Sequence, residues 1–383
     1  MQKTQSNPRR AARAVVYISI IAVWGMLFGL IVAGTIAYGI YADIKSPGRS
    51  HWTSRTFAEP IAAYLCLWHY RPIWQARSDC CDFDDRLAYV PKPGVTRFRG
   101  PEFDTTIHIT PRRLRAQLPA KPGAPLVVVA GDSYAFGWGE EDNETFSALL
   151  QSRYGYHTVN TAVPGYATPR ELERLHRLGL LTHVDALIIQ YCDNDAPENV
   201  EFLRNPADLG LANGARGEWT SLREYHQQPV TYFNVVVDIA RYVRQWGHGV
   251  GRMRALLTML GVRKGHRGPV DPRAPDASGA RMARDFLAVL DRYPELQHVP
   301  VLVTQMSYYG HVPGFTDALR NLAKERPNIV PVAIRYSPSD YYRFDQHLTP
   351  AGHRRAAAAL AATLKQVLAG RTSSTAAAAH PDY

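Results

Sequence analysis

Leu126-Val127-Val128-Val129-Ala130-Gly131-Asp132-Ser133 is the stretch on which the reading of the chain turns. Five apolar residues in a row, three of them β-branched, have the length and branching of a strand buried on both faces. The breaker cluster Lys121-Pro122-Gly123-Ala124-Pro125 stands directly before them. Strands of that kind belong to parallel sheets covered by helices. Gly131 then allows a sharp turn, and Ser133 is placed just beyond the carboxyl end of the strand. In open α/β sheets that edge is where ligands bind. The nucleophile elbow of α/β-hydrolases, G-x-S-x-G, does not occur in the chain.

Outward from this run, strand and helix signals alternate. A helical stretch starts at Asn143-Glu144 and runs through Leu149 and Leu150, and His157–Asn160 reads as a short strand. Thr168-Pro169-Arg170-Glu171 has the form of a capping box with proline at the first helical position. Buried strands are predicted at Ala186–Tyr191, Val301–Met306 and Ile329–Ala333, and a last helix from Thr349-Pro350 to Gly370. The alternation predicts an α/β fold, a three-layer α/β/α sandwich on a central five-stranded parallel sheet. Upstream, Phe103–Ile109 alternates apolar with polar and suits a half-buried strand.

The chain has 383 residues, 46% hydrophobic and 20% charged, with a formal net charge of +10. This is ordinary globular composition. The basic balance comes without Lys/Arg clusters interleaved with aromatics, so no nucleic-acid partner is expected. A solvated surface near an anionic membrane accounts for the charge. From Ala14 to Ala42 there is no charged side chain. That length exceeds the roughly 20 apolar residues needed to cross a bilayer and the roughly 7–15 of a secretory signal. Lys3, Arg9, Arg10 and Arg13 precede it, and Tyr38 and Tyr41 stand at its far end. The expectation is a single-pass anchor in the inner (cytoplasmic) membrane, amino terminus cytoplasmic and the rest extracytoplasmic.

The expected organisation is then a cytoplasmic tail over 1–13, a transmembrane helix over 14–42 and a juxtamembrane region over 43–124. The α/β domain covers 125–370, with a helical insertion over 196–297, and a disordered tail covers 371–383. Within the insertion, helical stretches are expected around Phe233–Trp246 and Met253–Leu260, as a lid, a substrate platform or plain decoration. Of the four cysteines, Cys66 and either Cys80 or Cys81 form a plausible disulfide in an oxidising compartment, and free thiols are the alternative.

A serine hydroxyl needs a base to act as a nucleophile. Phe344-Asp345-Gln346-His347-Leu348-Thr349-Pro350 supplies one just before the last helix. There His347 would take the Ser133 proton and Asp345 would orient the imidazole; alternatively His347 is a loop histidine and Asp345 a turn residue. Acyl transfer also requires donors for a developing oxyanion. The Gly165 amide in Asn160–Tyr166, the Asn194 side chain in Tyr191–Asp195, and the Ser133 amide itself stand after successive strands. There is no P-loop, no G-x-G-x-x-G after the first strand and no H-E-x-x-H, so neither cofactor nor metal is expected.

Gly-Asp-Ser, a loop glycine, Asn-Asp and then Asp…His before the last helix, in that order, resemble the four blocks of the SGNH/GDSL hydrolase superfamily. Val128–Gly139 is similar to the first block of its bacterial members. The resemblance covers roughly 125–195 and 299–369. It implies the flavodoxin-like SGNH hydrolase sandwich, with Ser133 as nucleophile, His347 as base and Asp345 as its orienter. The Ser133 amide, the Gly165 amide and the Asn194 side chain become the implied oxyanion donors. Two positions depart from the pattern. Cys192 stands where the third block has glycine, and the last block is spaced D-x-H rather than D-x-x-H. His353 has Pro350 three residues upstream, so it lacks the aspartate too. The implied function is a serine ester hydrolase or O-acyltransferase acting on an acylated cell-envelope glycan or lipid. The alternative is a membrane-anchored envelope-assembly or binding protein that keeps the fold with weak or no activity.

Overall fold

A computed structural model describes residues 16–29, 74–99, 102–227, 277–307, 314–342 and 345–369. Two compact units divide the chain, Met1–Trp68 and His69–Tyr383. In the first, residues 16–29 are helical, with Val16, Ile21, Trp24 and Phe28 exposed. The expected span over 14–42 runs beyond these residues at both ends. Among the described residues no helix is long and apolar enough to cross a membrane. Cys66, the stretches Phe233–Trp246 and Met253–Leu260, and the tail 371–383 also lie outside the described residues.

The second unit is built on the expected parallel sheet. Two hairpins come first: β1 (Cys81–Asp84) with β2 (Ala88–Pro91), and β3 (Gly94–Arg99) with β4 (Asp104–Ile109), both antiparallel. The sheet follows with β5 (Leu126–Ala130), β6 (His157–Asn160), β7 (Ala186–Tyr191), β8 (Val301–Gln305) and β9 (Ile329–Val332). Its order is β6-β5-β7-β8-β9 and every pairing is parallel. All five residues of β5 and all six of β7 are buried, as continuous apolar runs in a covered sheet must be.

Parallel pairing requires a crossover between successive strands, and crossovers running in opposite directions along the sheet put their helices on opposite faces. The chain moves one way from β5 to β6 and the other way from β6 through β7 to β9. The helices Phe146–Tyr154 and Pro350–Ala369 accordingly pack together. Thr168–Arg177, Asp195–Arg204, Ala277–Leu290 and Phe315–Leu322 pack in sequence with one another. The reversal of direction leaves a crevice outside the carboxyl ends of β5 and β7.

The hairpins belong to the same core. Tyr89, Phe98, Phe103 and Ile107 are buried in one apolar cluster with the sheet. Trp74 packs on Phe136 with ring centroids 5.0 Å apart, directly behind the Ser133 turn. The helix Gly214–Gln227, between Asp195–Arg204 and β8, lies on β2 and carries Trp219 against Tyr89 and Phe83.

One local expectation is corrected. Thr168 does not cap its helix: Ala167 is the N-cap residue and no side-chain cap bond forms. The Thr168 hydroxyl instead donates across to Asp195 Oδ2 at 3.0 Å, and Glu171 turns inward. The bond to Asp195 takes the Thr168 hydroxyl away from the helix end.

Candidate active site

β5 ends at Ala130, and Gly131 turns the chain at φ 152°. A Cβ there would lie 2.6 Å from both Ala135 Cβ and Gln190 Oε1, so glycine is required for space as well as conformation. Asp132 caps the one-turn helix Ser133–Phe136 by accepting from the Tyr134 amide. The Gln190 side chain on β7 accepts from the Asp132 and Ala135 amides at 3.0 and 3.2 Å. The turn is thereby tied to the neighbouring strand. Ser133 is the first residue of this helix, where backbone amides have no intrahelical partner.

His347 comes from the other side, on the loop before the last helix. Its carbonyl accepts from the Tyr342 amide at 2.8 Å, and a bridge between Tyr341 and Leu348 closes the loop. His347 Nε2 lies 2.7 Å from Ser133 Oγ, and Nδ1 lies 2.5 Å from Asp345 Oδ1. A carboxylate only accepts, so Nδ1 carries the proton and Nε2 is left to accept from the serine. Asp345 Oδ2 accepts from Trp138 Nε1 at 3.3 Å. The Tyr134 ring lies 4.7 Å from the imidazole, and its hydroxyl donates to the Gln346 carbonyl at 3.1 Å.

The D-x-H spacing closes because Gln346 adopts φ 67°, a left-handed conformation rare for a non-glycine residue. That single turn brings a carboxylate two residues upstream back onto Nδ1. Burial alone would hold the His347 pKa down. The Asp345 carboxylate, with Asp132 further away, overcomes this and lifts it above the ordinary imidazole value.

His353, in the last helix, has the Phe146 amide as its hydrogen-bond partner and not the serine. It is buried, stacked on Phe146, and its Nδ1 accepts from the Phe146 amide at 3.1 Å. Burial, with Arg115 nearby, pushes its pKa down to about 3. It is a neutral core histidine that satisfies the start of a helix.

Asn194 follows β7 and is exposed at the crevice. It makes no cap bond to its own helix. Its Nδ2 is 3.4 Å from Asp132 Oδ2, which leaves one of the two amide hydrogens unused. Cys192 is buried beside the Ser307 hydroxyl, 3.6 Å from its sulfur. Gly165 stands in the loop after β6 at φ 79°. That loop is anchored to the Ser133 turn by the Val163 amide, which donates to the Gly131 carbonyl at 3.1 Å. Trp138 and Tyr134 could not be read from the sequence as partners of the Asp345–His347 pair, because neither residue type marks a partner without the fold.

Cys80, Cys81 and Cys192 are free and buried. Among the described residues no group of three His, Cys, Asp or Glu side chains is arranged to hold a metal ion.

No protein-family model matches the chain, and no curated protein matches it. Several solved structures are similar to it. A TesA structure is 16% identical, with 63% of this chain and 99% of that one covered and a TM-score of 0.31. A Corynascus thermopiles carbohydrate esterase family 2 enzyme with its carbohydrate-binding domain is 14% identical, with 66% and 68% covered and a TM-score of 0.35. A GDSL-like lipase from Bacteroides thetaiotaomicron is 11% identical, with 63% and 88% covered and a TM-score of 0.32.

Proposed function

We propose that this protein is a serine-dependent carboxylic ester hydrolase or O-acyltransferase. The observation that carries the reading is the unbroken relay Ser133 Oγ–His347 Nε2–Nδ1–Asp345, at 2.7 and 2.5 Å, placed at the switch point of a parallel sheet. In the first half-reaction Ser133 Oγ bonds to the acyl carbon as its proton passes to His347 Nε2. The tetrahedral oxyanion would be held by the Ser133 and Gly165 amides and the Asn194 side chain. Collapse breaks the ester bond, and His347 returns the proton to the leaving alcohol. Water or a second hydroxyl then attacks the acyl-serine by the reverse proton path. Hydrolysis and transfer differ only in that acceptor.

The substrate class we propose is an acylated glycan or lipid of the cell envelope. Support comes from the uncharged run Ala14–Ala42, the basic residues before it and the net charge of +10. These suit a membrane-anchored enzyme whose site lies outside the cytoplasm.

The test follows p-nitrophenyl acetate turnover by protein begun at Lys45, beside Ser133→Ala, with and without an oligosaccharide acceptor. Release that Ser133→Ala abolishes is expected. Acetylated oligosaccharide among the products selects transfer, and free acetate alone selects hydrolysis. Equal release by Ser133→Ala would sink the nucleophile assignment.

A further inference from the structure

The loop that carries Gly165 is gripped by residues the reaction itself does not use. Tyr89, on β2 of the first hairpin, donates its hydroxyl to the Pro164 carbonyl at 2.9 Å. The Pro164 carbonyl and the Gly165 N–H share one peptide plane, and in a trans peptide they point in opposite directions. No cis peptide occurs among the described residues. Holding the carbonyl on the Tyr89 side therefore aims the Gly165 N–H the other way. That amide donates to no described group. The next plane is fixed as well: Arg170 Nη2 donates to the Gly165 carbonyl at 2.5 Å, and the Tyr166 amide to Val163 at 3.1 Å.

The grip is rigid. Tyr89 and Arg170 are both buried. Arg170 is held by Glu198 through bonds of 3.0 and 2.8 Å, and its guanidinium lies 4.7 Å from the Tyr166 ring centroid and 5.7 Å from that of Tyr89. The Tyr166 hydroxyl donates back to the Tyr89 carbonyl. Gly165 itself fits only as glycine, since a Cβ would fall 2.8 Å from the Tyr89 hydroxyl at φ 79°.

We infer that Tyr89 and Arg170 are positioning residues for the Gly165 amide as an oxyanion donor: Tyr89 aims and polarises it through the Pro164 carbonyl, and Arg170 fixes the peptide plane that follows. The inference rests on the proposed ester chemistry. A hydrogen bond accepted by an amide carbonyl also strengthens donation by the N–H of the same peptide. Preorganised donors work because they need not reorganise as charge develops. The first hairpin, which lies outside the parallel sheet, thus completes the site.

The test measures labelling by a fluorophosphonate probe, in which Ser133 Oγ bonds to phosphorus, fluoride leaves and the hydroxyl proton passes to His347. Wild type is compared with Tyr89→Phe and Arg170→Lys, and both the rate and the final labelled fraction are read. The expected result is a rate lower by on the order of tenfold at an unchanged final fraction, below the roughly hundredfold or greater cost of deleting a donor. Ester turnover should lose kcat with KM unchanged. A purely structural role would lower the labelled fraction and leave the rate of the folded remainder alone. That result, or wild-type rates in the variants, overturns the inference while labelling of wild type upholds the enzyme. Absence of labelling in folded wild type overturns both. Should Tyr89→Phe not fold, Arg170→Lys decides by the same criteria.

Discussion

At the scale of single residues, the site depends on one charge balance. The base must be neutral to accept the Ser133 proton, and Asp345 lifts the His347 pKa. Activity should therefore fall on the acid side with a midpoint above the ordinary imidazole value of about 6.5. In Asp345→Asn the main lifting charge is gone and burial is opposed only by the more distant Asp132, so the midpoint should move down while the rate drops. A plot of log kcat/KM against pH for both proteins checks this, and an unmoved midpoint would remove Asp345 from the pair. Ser133 and His347 were legible because their neighbours, a buried strand before one and a capped helix after the other, fix where they stand. Asp345 was harder to read. Its distance from the imidazole depends on the backbone angle at Gln346, and nothing in the letters D-Q-H announces φ 67°. Thr168 and Glu171 misled for the opposite reason: a local capping pattern was present, but the Thr168 hydroxyl bonds Asp195 and the Glu171 carboxylate is buried away from the helix end.

At the scale of elements, the turn Asp345–His347 carries a strain that can be probed. A left-handed non-glycine residue costs roughly 1–2 kcal/mol, more for a β-branched side chain. Gln346→Gly should keep the turn and its activity, since glycine adopts that angle freely. Gln346→Val should drive the turn toward extended backbone, swing Asp345 off Nδ1 and lower kcat at least tenfold. Steady-state kinetics on the pair of variants tests this, and equal activity in both would show that the angle is not what holds Asp345. The sheet strands were readable almost to the residue, because β5 and β7 are uniform apolar runs whose burial needs no partner to be inferred. The expected alternation at Phe103–Ile109 is β4. The strands β1, β2 and β3 were not read. β1 and β2 have only four residues each, and β3 (Gly94–Arg99) buries only Phe98, so no period of two emerges from the sequence.

At the scale of the whole molecule, the question is where the folding unit begins. The resemblance to SGNH/GDSL hydrolases starts near residue 125, which would make everything before it an appendage. The packing says otherwise. Trp74 lies against Phe136, Tyr89 holds the loop after β6, and Phe98 and Phe103 bracket Trp138 at 4.9 and 5.8 Å. Arg115 enters the same region, buried, with bonds to Asp142 and to the carbonyls of Phe136, Gly137 and Glu140. Removing residues before Lys121 would uncover these large side chains and leave three carbonyls around the serine turn without their donor. Each buried aromatic contributes about 1.5–3 kcal/mol, against a total stability of only about 5–15 kcal/mol. A chain begun at Lys121 should therefore lack a cooperative urea transition, whereas one begun at His69 should unfold in a single step, with a slope matching its buried surface. Near-ultraviolet circular dichroism of Trp138 and its neighbours during the titration gives a second reading of the same event. A sharp transition in the shorter chain would mean that the sheet and its helices suffice, and that the hairpins only decorate a domain already complete.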